Sequence, residues 1–219
     1  MNGIGNFTID EALNVSGSLL LPGLLPSVSL SLLDPYTGRN TSATIFFATS
    51  ARNPLPANAR IRLLYPPDFT LDGAARGGVV PGSGLGGALA VALGAGEATL
   101  ARSGGGQVLA GTAGLALTLS GVRTAIFAGG VEGMRLQVLT SLGDVIDEAA
   151  LPRVNISAGN LTHVNVSARA LRAFSYNDFT ISFRSGPVGL PAGSDVVVTF
   201  PLEVHPCPGG SPGAKRWFM

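Results

Sequence analysis

Between Ser27 and Leu33 apolar and polar positions alternate, with Val28, Leu30 and Leu32 on one side and Ser29 and Ser31 on the other. A period of two marks a half-buried strand, because successive side chains of a strand point to opposite faces. The alternation recurs down the chain. Ile45 and Phe47 are in phase within residues 43–49. Ile61, Leu63 and Tyr65 oppose Arg60 and Arg62 in a strand bracketed by Pro56 and Pro66, where a missing N–H is tolerated. Leu89, Val91 and Leu93 alternate with alanine, and Ala98 with Leu100, Leu115 with Leu117 and Leu119, and Leu136 with Val138 and Thr140 continue the series. Residues 86–95 hold enough Ala and Leu for a short helix, but the flanking glycines and the period of two favour a strand. Asp34-Pro35-Tyr36-Thr37-Gly38 is a turn, because Pro presets φ and Gly permits a positive φ. Residues 72–88 read as a long Gly-rich loop, Ser120-Gly121 as a strand end, and Gly129-Gly130 as a break. Many short strands with turns at roughly ten-residue spacing, and no sustained 3.6-residue stripe, predict an all-β sandwich or barrel.

The chain repeats itself. Leu55-Pro56-Ala57 through Tyr65-Pro66 returns as Leu190-Pro191-Ala192 through Phe200-Pro201, and Ile9-Asp10-Glu11-Ala12 returns as Ile146-Asp147-Glu148-Ala149. Val28 to Ser31 corresponds to Val164 to Ser167. The strand at 43–49 corresponds to Phe179 to Phe183, with its register shifted by one. Self-similarity at a fixed period signals an array of structural repeats. The expected organisation is a terminal strand of a preceding module over 1–23, a complete β-sandwich module over 24–159, the first strands of a second, truncated module over 160–204, and a disordered tail over 205–219. In that truncated module Val196, Val198 and Phe200 form an apolar face that needs cover. Met1 to Gly5 has neither a basic n-region nor an apolar h-region, so the expected start is the end of a module rather than a leader. The apolar stretch Ser18 to Leu33 is interrupted by Pro22, Gly23 and Pro26, so no membrane span is expected in this chain.

Composition narrows the function. The 219 residues are 46% hydrophobic and only 12% charged, with a net charge of +1. Nucleic-acid surfaces need clustered Lys and Arg, so no nucleic-acid partner is expected. Lys215 is the only lysine, and the Arg, Gly and Ala bias fits a GC-rich genome, which weakens Gly and Ala runs as evidence. One cysteine, Cys207, excludes both a disulfide framework and a Cys-based zinc cluster. Six of the ten asparagines lie in N-x-S/T sequons: Asn6, Asn14, Asn40, Asn155, Asn160 and Asn165. Ser- and Thr-rich strands also produce sequons by accident. Selection for N-glycans on an extracellular or cell-surface chain is the favoured alternative.

The chemical motifs are weak. Gly82, Gly84 and Gly87 fit the spacing G-x-G-x-x-G of a dinucleotide-binding turn. The preceding strand is ended by Pro81, however, and Ala101, Arg102 and Ser103 stand where an acidic residue should hold a ribose. No cofactor is expected. Asp144, Asp147 and Glu148 cluster at a module end, and Asp10-Glu11 repeats the last pair, but Ca²⁺ takes roughly six or more oxygens. A solvated turn in which Asp147 caps backbone N–H groups is preferred, and no metal site is expected. His163 and His205 lack a nucleophile and an orienting carboxylate at recognisable spacing. Tyr36, Tyr65, Tyr176 and Trp217 are too scattered for a sugar platform, and Tyr65 is in phase with the core.

Leu190 to Pro201, Leu117 to Val122 and Gly143 to Glu148 together resemble immunoglobulin-like β-sandwich repeats of very large, tandemly repeated surface or secreted proteins of unicellular eukaryotes. The resemblance implies an extracellular, adhesive or cell-wall-like role, with no enzymatic activity and with neighbouring modules of the same or like chains as partners. A carbohydrate-binding module, with glycans as ligands of the loops at Asp34 to Asn40 or 72–88, is the alternative.

Overall fold

A computed structural model of the chain describes residues 22–169, 178–186, 189–190, 195–200 and 215–218. The strands are β1 (Gly23–Leu24), β2 (Ser29–Leu32), β3 (Asn40–Phe47), β4 (Arg60–Leu64), β5 (Thr70–Leu71), β6 (Gly77–Val79), β7 (Ala88–Gly94), β8 (Glu97–Ser103) and β9 (Leu115–Arg123). They continue with β10 (Gly129–Val131), β11 (Arg135–Leu139), β12 (Val145–Ala150), β13 (Val154–Ile156), β14 (Thr162–Ala168), β15 (Phe179–Arg184), β16 (Asp195–Val198) and β17 (Lys215–Phe218). The protein is all-β. Among the described residues no helix is long and apolar enough to cross a membrane.

Two sheets form a sandwich. One has the order β1-β12-β11-β4-β8-β7, and the other β2-β3-β9-β5, with β6 also paired to β9. Their facing sides supply one core. Ile45, Phe47, Leu115, Leu117 and Leu119 come from the second sheet, and Ile61, Leu63, Ala98, Leu100, Leu136 and Val138 from the first. The alternation at 41–47 and 60–64 is what makes this possible, since every second residue of β3 and β4 is buried. Each fully buried Leu, Ile or Phe contributes about 1.5–3 kcal/mol by leaving water, so the shared core outweighs any single surface contact.

The chain crosses between sheets early. β1 runs parallel to β12, whereas β2 pairs antiparallel with β3 in the opposite sheet. The switch spans Leu25 to Val28, where Leu25 plugs the core at 3% exposure and Ser27 takes a positive φ of 54°.

Several sequence expectations are corrected. The Gly-rich stretch 72–88 is not all loop, because Gly77 to Val79 pair with Leu117 to Leu119. A Cβ on Gly77 would crowd Leu89 and Val91, and this close approach of backbone to side chains explains the glycine. Ser120-Gly121 does not end β9. Thr41 pairs with Val122 and Ala43 with Leu119, so β9 carries one extra residue and continues to Arg123 through a β-bulge. Gly121, with φ of 75°, supplies the conformation that the bulge needs. Gly129-Gly130 is not a break but the start of β10, paired with β13. Asp147 is not in a solvated turn; it sits in β12 at 2% exposure. Within residues 86–95 a strand does form, over Ala88–Gly94, and Leu89 and Val91 pack on the core while Leu93 is exposed.

Beyond β13 two hairpins follow, β14 with β15 and β16 with β17. β14 is expected to be half-buried like β2, but Val164 and Val166 are both exposed, since among the described residues its sheet has two strands. In β16 Val196 and Val198 are half-buried and Val197 is exposed. β17 lies within the stretch expected to be a disordered tail. Asn6, Asn14, the Ile9–Ala12 echo, Tyr176, His205 and Cys207 fall outside the described residues.

Candidate functional site

The richest surface lies where the sandwich hands over to the β14–β15 hairpin. The turn after β2 is fixed from both sides. Thr124 Oγ1 donates to the Tyr36 carbonyl at 2.6 Å and accepts from the Arg39 N–H at 2.8 Å. The Gly38 N–H donates to the Ala125 carbonyl at 2.8 Å. Thr124 is 2% exposed, so these bonds are shielded from competing water. The turn then grips the linker that leaves β13. The Thr37 N–H donates to the Ser157 carbonyl at 3.0 Å, and the Ser157 N–H donates to the Pro35 carbonyl at 2.7 Å. The Gly159 N–H reaches Thr37 Oγ1 at 3.4 Å. The linker is therefore seated on the sandwich by its own backbone.

Past this seat a cleft of about 710 Å³ opens between the sandwich and the hairpin. Tyr36, Arg39 and Ile126 line one wall, Arg184 and Leu190 the other, and Asn160 lies in the linker between them. Arg39 Nε is 3.8 Å from Asp34 Oδ2, an exposed pair that contributes little. A second, apolar slot lies inside the sandwich between Leu30, Leu63, Phe69, Leu71 and Met134. Tyr65 borders it. Burial raises the Tyr65 hydroxyl above the ordinary tyrosine range, with a smaller push in the same direction from the Glu97 charge.

The expected glycosylation residues are placed as follows. Asn40 opens β3, Asn155 lies in β13 between buried Val154 and Ile156, Asn160 is in the linker and Asn165 is in β14. All four are exposed, as are the hydroxyl residues Ser157, Thr162 and Ser167, while Ser42 is half-buried.

The two rejected motifs have structural explanations. Gly82, Gly84 and Gly87 all take positive φ, at 77°, 74° and 99°. They precede a strand rather than a helix, so the helix N-terminus that would receive a pyrophosphate is not formed. Their loop is instead tied inward. Arg102, 4% exposed, donates to the Gly86 carbonyl at 2.8 Å, to Pro56 at 3.1 Å and to Gly106 at 2.7 Å. Its guanidinium loses solvation there, which lowers its pKa from the usual arginine value. The three acids of the calcium candidate diverge. Asp144 Oδ2 accepts from Thr140 Oγ1 at 3.2 Å. Asp147 turns to the core side and accepts from Asn53 Nδ2. Glu148 Oε2 accepts from Gln137 Nε2 at 3.0 Å on the outer face. Among the described residues no three His, Cys, Asp or Glu side chains group as a metal site. His163 stands exposed at a register irregularity of β14.

Sequence reasoning missed Arg102, Asn53 and Thr124. It also missed the outer-face ladder in which Arg62 Nε donates to Gln137 Oε1 at 2.8 Å beside the Gln137–Glu148 bond.

No known protein family matches the chain, and no curated protein does. Among solved structures it is similar to a cohesin module from a Clostridium perfringens family 33 glycoside hydrolase. That match has 10% identity and a TM-score of 0.37, covering 60% of this chain and 98% of that one. It is also similar to BcpA, the major pilin subunit of Bacillus cereus, at 9% identity and a TM-score of 0.38, covering 71% of this chain and 52% of that one.

Proposed function

We propose that this chain is a non-enzymatic structural or adhesion module of a tandem, immunoglobulin-like β-sandwich array, N-glycosylated and exposed outside the cell or on its surface. One observation carries the proposal. The closed sandwich passes, through a linker hydrogen-bonded to its own Pro35–Thr37 turn, into a hairpin whose sequence repeats β2 and β3. A bead joined rigidly to the next bead is how repeat arrays hold an extended shape. The four exposed sequons fit a glycan-shielded surface. Contacts with neighbouring modules, of this chain or like chains, would follow from exposed loops and strand edges.

Peptide mapping by mass spectrometry, with and without an N-glycan-releasing glycosidase, tests the compartment. Occupied Asn40, Asn155 or Asn160 in protein from its own cells is the expected result, and bare sequons in an intracellular pool would remove the extracellular reading. The cleft at Tyr36, Arg39 and Arg184 favours a second reading, a carbohydrate-binding module. A glycan array and calorimetry separate the two, because only the second gives saturable sugar binding.

A further inference from the structure

We propose that an N-glycan on Asn160 is the occupant of the junction cleft, where it packs against Tyr36 and wedges the hairpin against the sandwich. This rests on the reading that the chain passes through a glycosylating secretory route. Asn160-Leu161-Thr162 is a sequon, and all three residues line the cleft. The opening of about 710 Å³ lies within the roughly 300–1,000 Å³ of ligand pockets, which is room for the first sugars of a glycan. The occupant is singled out by attachment rather than by size, because the sequon asparagine itself lines the cleft. Tyr36 lines the same cleft at 46% exposure. An exposed aromatic ring offers a negative face to the C–H groups of a sugar ring, and the guanidiniums of Arg39 and Arg184 offer donors for its hydroxyls. Asn40 and Asn155 are exposed sequons that do not line this cleft, so the molecule contains its own controls.

The attachment balances. The Asn160 side-chain nitrogen bonds to the anomeric carbon of a lipid-pyrophosphate-linked oligosaccharide. The carbon–oxygen bond to that pyrophosphate breaks, the lipid pyrophosphate leaves with the electron pair, and the amide loses one proton.

The test is site-resolved glycosidase kinetics on the folded, secreted full chain, read by glycopeptide mass spectrometry. Release at Asn160 should be about tenfold slower than at Asn155, the protection given by an opening step of about 1.4 kcal/mol. Denaturation should equalise the sites. Tyr36→Ala should accelerate release at Asn160 alone, and Arg184→Ala serves as a second variant on the other wall. Occupied Asn40 and Asn155 with a bare Asn160, or equal release rates at all three, would overturn this inference and leave the surface-module reading standing. Slow release at Asn160 that neither variant changes would also overturn it. Bare asparagines at every sequon would overturn both.

Discussion

Asn53 and Asp147, 94 positions apart, are joined by a 2.7 Å hydrogen bond in which Asn53 Nδ2 donates to Asp147 Oδ1. Gly23 lies directly against the pair, since a Cβ there would collide with Asp147 Oδ1 and with Asn53 Nδ2. The glycine thus lets β1 run parallel beside β12. Asn53→Ala removes the donor from a buried acceptor and should cost about 1–3 kcal/mol in urea unfolding. In an Asp147→Ala background the same substitution should cost clearly less, because the acceptor is already gone. Equal costs in both backgrounds would show that the bond is not the source of the effect.

The alternating strands were legible because one face of each is buried and a period of two survives in a single sequence. Ile45, Ile61 and Leu117 announce themselves in this way. Asp147 and Arg102 did not, because charged residues ordinarily face water, and their partners come from distant loops that no local pattern connects. β6 and β10 were hidden because Gly77, Gly78, Gly129 and Gly130 carry no hydrophobic period. They become strands only through pairing with β9 and β13. The junction turn was read correctly as a turn, but its grip on Ser157 depends on backbone groups, which are the same in every sequence.

Arg102 joins three loops through three backbone carbonyls, and none of its partners is a carboxylate. Arg102→Met should destabilise by at least ~2 kcal/mol, since it strands carbonyl acceptors while keeping most of the packing volume. Arg102→Lys should recover only part of this, because a single ammonium lacks the planar fork that reaches separate acceptors. Thermal melts of the three proteins decide the point, and full recovery by Lys would mean that charge alone is required.

Tyr65 should titrate above the ordinary tyrosine value of 10.0, chiefly because its partial burial desolvates it and secondarily because Glu97 is near. Its folded pKa is raised above the unfolded one. Its contribution to stability is therefore intact below about pH 10 and lost as pH rises through the folded pKa. Ultraviolet titration of tyrosinate absorbance should show one late component that disappears in Tyr65→Phe. Glu97→Gln should shift that component down only slightly, because burial is the larger cause.

Gly121 at φ of 75° sits with its absent Cβ 3.1 Å from the Ala75 Cα. Gly121→Ala meets both a disfavoured backbone conformation and a backbone neighbour, and a loss of about 1–3 kcal/mol is expected. Gly104, also at positive φ of 72° but with nothing near its Cβ position, isolates the conformational part. Gly104→Ala should therefore cost less in parallel denaturation curves.

In the sandwich β3 is flanked by β2 on one side and β9 on the other, so neither of its edges is open. β15, its counterpart in the repeat, pairs only with β14 among the described residues. Val164 and Val166 are 57% and 56% exposed, and Phe179 is 41% exposed. A two-stranded unit is marginal by itself, and an open strand edge beside apolar side chains invites pairing with another chain. The protein should therefore self-associate with rising concentration through this hairpin. Val164→Thr with Val166→Thr keeps the β-branched shape and the strand preference while removing apolar surface. Sedimentation velocity over a concentration series should show the double variant shifted toward the monomer. A distribution indistinguishable from the unsubstituted chain would place the association elsewhere, and a hairpin edge shielded by sugars at Asn165 would be revealed if only the deglycosylated protein associates.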